Sequence, residues 1–280
     1  MKRTVFCVIV WCFTVVALLI RFWQVGYVID DFGFYAQSKE TLCFGLDIAL
    51  WGGIFLLGLS YRFLFKNTPT RPIKQSLLLG IGSLVVAFFC LPQAYMDCVT
   101  AETTNAMILA VLPSLITAVC FVLIAAFQIQ GRKISYTLAL LPVLSELTRV
   151  VVAYTKFNGL SRVTENAVYI LSMLSFLLFC MSQFWLYYKG NQPKGMFGCY
   201  IFGATTGVFG LLSTLPHWVM GNNQLPLSYV GFGAAVYALI FMGVHAFAPR
   251  PASKQNAPAK DPIPVGFEEP QSTLNEEIQQ

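Results

Sequence analysis

Charge is what this sequence has least of. Charged residues make up 11% of its 280 positions, against about a quarter in an ordinary soluble domain. Eight of the 31 charged residues fall in the last 32 positions, which leaves 23 for the first 248. A water-facing surface of that size needs many more ionised side chains, so a cytosolic enzyme, a secreted disulfide scaffold and a disordered chain are all excluded. Histidine is scarcer still, at two residues, His217 and His245, and no Cys-x-x-Cys occurs. A metal centre therefore has little to be built from. There is no phosphate loop, no His-Glu-x-x-His and no Gly-x-Ser-x-Gly, so the nucleophile–base pair or metal ligands of a membrane-embedded hydrolase are missing. No catalytic residue and no cofactor are assigned, and the reading leans away from an enzyme.

What is present is apolar: 56% of the residues are hydrophobic and 15% aromatic. A hydrocarbon layer about 30 Å thick needs about 20 apolar residues per helix. Eight such runs occur, over about 5–20, 43–61, 75–95, 106–129, 134–155, 167–188, 196–220 and 227–248. The expected class is an all-α, polytopic integral membrane protein with eight transmembrane helices and the bilayer as its first partner. The run after Met1 has no small-x-small cleavage site behind it and reads as a retained helix. Six of the eight cysteines lie in or beside apolar runs, where cysteine acts as a small hydrophobe. Cys43 and Cys98 fall at helix ends on one side and admit a bridge.

Lysine and arginine set the orientation. Thirteen lie in one set of alternating segments and four (Arg21, Lys39, Lys156, Arg162) in the other, while Arg149 stands inside a helix. Both termini are thus expected in the cytoplasm, and the membrane is expected to be the plasma (cytoplasmic) membrane. The basic 62–74 loop suits orientation and anionic lipid better than nucleic acid. The one long outer connection, 21–42, carries Asp30-Asp31 among aromatics and reads as an interfacial re-entry, or else as a cation-attracting mouth. Residues 249–280 hold six prolines and carry Glu268, Glu269, Glu276 and Glu277 toward their end. Such a segment cannot bury enough apolar surface to order itself, and it is expected to be a disordered cytoplasmic tail able to hold a protein partner.

At a constant offset of 124, Asn67-x-Pro69 matches Asn191-x-Pro193, Leu91-Pro92 matches Leu215-Pro216, and Met96 matches Met220. This suggests a 4+4 parallel internal repeat, one known transporter plan.

Few ionisable residues lack a topological role. Asp47, Glu146, Arg149 and His217 are all expected in the outer half of the membrane, where a buried charge costs about 2.5–3.5 kcal/mol at helix centre and marks function by default. Glu146 and Arg149, at i, i+3, share a helix face. They form either a ligand or ion site, with Arg149 as anion anchor, or a self-neutralising structural pair. Pro113 and Pro142 each sit within a span and each free a carbonyl, which makes them candidate hinges. Two readings follow. The first is a small permease for a small molecule or ion, with a polar site in the outer half of the bilayer. The second is a non-catalytic accessory or sensory subunit that binds a protein partner.

Overall fold

A computed structural model describes residues 2–29, 35–36, 39–65, 75–101, 103–157, 164–189, 193–221 and 227–247. Among them the chain forms α1 (Lys2–Tyr27), α2 (Glu40–Phe65), α3 (Leu77–Val99), α4 (Thr104–Ile129), α5 (Tyr136–Phe157), α6 (Thr164–Lys189), α7 (Pro193–Leu212), the short α8 (Leu215–Met220) and α9 (Tyr229–Phe247). Eight spans are long and apolar enough to cross a membrane, α7 and α8 together making the seventh. The protein is an all-α polytopic membrane protein. Helices suit that solvent because every backbone N–H and C=O is satisfied within its own segment. The side chains agree: Leu19, Phe44, Phe55, Phe88, Val119 and Leu144 all stand exposed, an apolar surface that only lipid can solvate.

Local signals set the element ends. Ser76 caps α3 by accepting from Leu79 N at 3.3 Å, and Thr103 caps α4 by accepting from Ala106 N at 3.2 Å, each satisfying a donor of the first turn. Gly131 closes the α4–α5 turn at φ +66° and Gly221 ends α8 at φ +72°, a conformation other residues adopt only with strain.

Six helices close a ring in the order α3, α4, α5, α6, α7, α9 and back to α3. Inside it, Phe121, Phe176, Phe179 and Phe241 pack around Tyr237, with ring centroids 5.5–6.3 Å apart where they meet. The first two helices lie outside the ring: α1 rests on α7, α8 and α9, and α2 on α1 and α7. The two sequence quartets consequently pack differently. A repeat would match α2–α3 to α6–α7, yet α6 lies along α7 whereas α2 makes no comparable contact with α3.

The α7–α9 seam depends on glycine. A Cβ on Gly210 would overlap the Gly231 carbonyl oxygen and come within 2.9 Å of Ala235 Cβ. Neither contact can be relieved by a side-chain rotation. Gly210→Val should therefore cost at least the 1–3 kcal/mol typical of overpacking. Gly52→Val on α2 should stay near wild type, because nothing lies within 4 Å of a Cβ there. Thermal unfolding of the purified variants in detergent checks both.

Several boundaries differ from the sequence reading. The first span runs on through Arg21 to Tyr27 and the third through Asp97 to Val99, because amphipathic turns extend helices past the apolar run used to find them. The seventh span breaks at Ser213-Thr214. The connection between the first two spans shortens to 28–39, with an antiparallel bridge between Ile29 and Tyr35, and Asp30-Asp31 lie outside the described residues. The tail, 249–280, lies outside them too. Cys43 and Cys98 are free thiols, one buried and one exposed, so the bridge between them is not made.

Candidate functional site

Call the membrane face at Lys2 proximal and the face at Tyr27 and Glu40 distal. Two buried ionic networks occupy the distal half and the middle of the bundle.

The first is shallow. Arg21 lies six residues before the end of α1, about 9 Å along the axis. With Gln24 it faces inward at i, i+3, and both are fully buried. Arg21 Nη2 donates to Glu165 Oε1, and Nη1 donates to Gln24 Oε1 at 3.0 Å. Gln24 Nε2 then donates to Asp47 Oδ1 at 3.2 Å, and the Tyr35 hydroxyl donates to Asp47 Oδ2. The other oxygen of Glu165, Oε2, is 2.7 Å from His217 Nε2. A carboxylate only accepts, so Nε2 carries the proton and Nδ1 is the free position. Neither His217 Nδ1 nor Arg21 Nε has a partner. Glu165 is thus shared between a guanidinium and an imidazole at 3% exposure. Counting Asp47, this network has more carboxylates than guanidinium groups.

His217 reaches Glu165 because the seventh span is discontinuous. Pro216 has no N–H to give the carbonyl of Leu212 four residues back, and the helix stops there. Thr214 turns aside, its hydroxyl donating to Ser228 O at 2.8 Å. α8 then restarts at Leu215 with His217 turned inward and Trp218 outward.

The second network is deeper. Glu146 lies ten residues from one end of α5 and eleven from the other, and Thr117 lies at the middle of α4 in the same way. Glu146 therefore sits mid-bundle rather than in the distal half, and Arg149 one turn nearer the distal face. Arg149 Nη1 donates to both Glu146 oxygens, at 2.9 and 3.0 Å. Thr117 Oγ1 donates to Glu146 Oε1 at 3.2 Å and lies 2.8 Å from Ser145 Oγ. Arg149 Nη2 has no partner. Distally, Asp97 accepts from Gln93 Nε2 at 3.0 Å and from Ser114 Oγ at 3.3 Å. Beside this group, a cleft of about 290 Å³ opens between α4 and α5, walled by Leu112, Pro113, Leu141 and Leu144 and reaching Ser145 and Thr148.

The four residues singled out from sequence thus divide into two pairs. Asp47 and His217 belong to the shallow network, while Glu146 and Arg149 belong to the deep one. Pro113 and Pro142 lie inside uninterrupted helices. Sequence reasoning missed Arg21, Gln24 and Glu165, since it placed Arg21 and Glu165 in loops. One signal was available: the apolar character resumes after Arg21 with Phe22, Trp23 and Val25, which continues the helix and buries the arginine.

No protein-family model, no curated protein and no solved structure matches this chain. Among the described residues, no group of three or more His, Cys, Asp or Glu side chains is placed to hold a metal ion.

Proposed function

We propose that the protein is a small permease whose polar site is the Arg21–Glu165–His217 network, with the distal face extracytoplasmic, both termini cytoplasmic and the plasma membrane as its location. One observation carries the reading: a discontinuous span delivers a histidine to a buried carboxylate already held by an arginine. Broken helices at membrane depth are tolerated where they line a site, and transporter sites are commonly built at them. A bundle stabilised by ion pairs alone would have no use for an unpaired buried donor, Arg21 Nε, beside an unpaired buried acceptor, His217 Nδ1. Glu165 can exchange between partners, which is what a site must do to bind and release a small molecule or ion. Asp47, reached through Gln24, adds negative charge that attracts cations.

The deep pair is the second element of the proposal. Pro113 and Pro142 each stand four residues before Thr117 and Glu146, the groups that join α4 to α5 at mid-depth. Each frees a carbonyl in its helix, so the two helices can flex where the contact is made. In this scheme Arg149, with one free nitrogen, is the anchor for an anionic group that gets past the shallow network.

The accessory-subunit reading draws on the exposed cleft between α4 and α5 and on the loosely held α2, both open to another membrane helix, with residues 249–280 as a cytoplasmic contact. Proteoliposomes separate the two readings. With a mixture of amino acids, sugars and carboxylic acids outside and a pH-sensitive dye inside, wild type should carry flux above empty liposomes. Glu165→Gln and Glu146→Gln should each lower it at least tenfold. Equal traces from wild type, variants and empty liposomes would move the assignment to the accessory subunit.

A further inference from the structure

We infer that the break in the seventh span holds a dehydrated monovalent cation, Na⁺ in the first instance, in a pocket of oxygen atoms just proximal to the Arg21–Glu165–His217 network. Four hydroxyl side chains gather there: Ser172 of α6, Ser213 and Thr214 of the break, and Ser228 at the start of α9. All are buried, with exposures between 0 and 2%. Ser213 Oγ lies 3.4 Å from Thr214 Oγ1 and donates to Gly210 O at 3.1 Å. Thr214 Oγ1 donates to Ser228 O, and Ser228 Oγ accepts from Gly231 N at 3.1 Å. Ser172 Oγ has no partner at all.

Glycine makes room for this convergence. A Cβ on Gly231 would overlap both Ser172 Oγ and Ser228 Oγ, so the two hydroxyls converge on the Gly231 backbone, an approach that only glycine permits. The break adds carbonyls. Thr214 N bonds Leu211 O rather than Gly210 O, and Pro216 offers Leu212 O no N–H. These carbonyls form the C-terminal end of α7, where the helix dipole is negative.

The pocket therefore gathers oxygen acceptors at the negative end of a twenty-residue helix, with Gly231 N, in the first turn of α9, bonded to Ser228 Oγ. A hard cation is the ligand that such a set recognises, since oxygen ligands replace its hydration shell. Helix-end carbonyls at broken spans serve the same purpose in membrane carriers. Charge balance is close by. Glu165 precedes Ser172 by seven residues, hence on the same face of α6 and about 10 Å away along the axis. An ion entering from the distal face meets the carboxylates first and the hydroxyl pocket next.

The site deepens the permease reading and rests on it only for its part in transport, so binding and flux are measured separately. The purified full-length protein is unfolded thermally in detergent, with NaCl replacing choline chloride at constant ionic strength. Na⁺ should raise the midpoint in a saturable way, because a ligand bound only to the folded state stabilises it by mass action. Ser172→Ala and Ser228→Ala should each weaken the apparent Na⁺ affinity at least tenfold. Having two variants guards against one that fails to fold. A wild-type midpoint indifferent to Na⁺ would overturn the site, leaving at most a buried water there. A shift retained in both variants would overturn it as well, by putting the ion elsewhere. Na⁺ binding without any solute flux in proteoliposomes would uphold the site and remove the permease.

Discussion

Glu165→Ala is expected to destabilise the folded protein by about 3–5 kcal/mol, the usual cost of removing one member of a buried ion pair. The substitution strands two donors at once: Arg21 Nη2 and His217 Nε2 both lose their acceptor, and Arg21 is 1% exposed. Glu165→Gln should cost less, since its amide oxygen still accepts one of the two bonds. The double change Arg21→Met with Glu165→Leu should recover most of the loss, because apolar groups of similar volume often replace a buried pair without penalty. Chemical or thermal unfolding in detergent gives the stabilities. A single-variant loss near zero would mean that Glu165 is solvated rather than buried. A rescued double variant that is stable yet inactive in proteoliposomes would separate the network's stabilising role from its transport role.

Arg149→Ala should have an effect of the same size, about 3–5 kcal/mol, for a different reason. Glu146 has 0% exposure at the midpoint of α5, and Arg149 is its only charge partner within hydrogen-bond distance among the described residues. Thr117 alone would be left to solvate the carboxylate. Two further variants test the pair. Arg149→Ala combined with Glu146→Gln should regain most of the lost stability, because no charge is then stranded. Arg149→Lys should restore most of the stability, since a single nitrogen reaches both oxygens here and an ammonium, with three donors, can do the same. The comparison is made on unfolding midpoints. An Arg149→Ala variant as stable as wild type would show that water reaches Glu146.

Much of this molecule could be read from composition and position in sequence. Eight apolar runs became eight spans, because hydrocarbon solvent demands length and apolarity and both are visible in one dimension. The i, i+3 pairing of Glu146 with Arg149 was legible for the same reason, since helix periodicity is a property of the sequence alone. What failed were the ends. Arg21 and Glu165 each stand at the edge of an apolar run, where hydropathy gives way to charge and a loop is the natural expectation. Both are in helices and both are buried, because each offsets the other's desolvation across 144 positions of chain. The shared depth expected for Asp47, Glu146, Arg149 and His217 became two networks, one distal and one central.

By itself, then, the sequence determined the solvent, the number of spans and part of the list of ionisable residues that a bilayer would not tolerate without cause. Tertiary structure alone decided which of them meet. A charge in a low-dielectric interior persists only when its partner is within hydrogen-bond reach, and that partner is chosen by how helices pack. So it is the packing of α1 against α7, α8 and α9, the break before Pro216 and the inward turn of α8 that bring Arg21, Glu165 and His217 into one buried network.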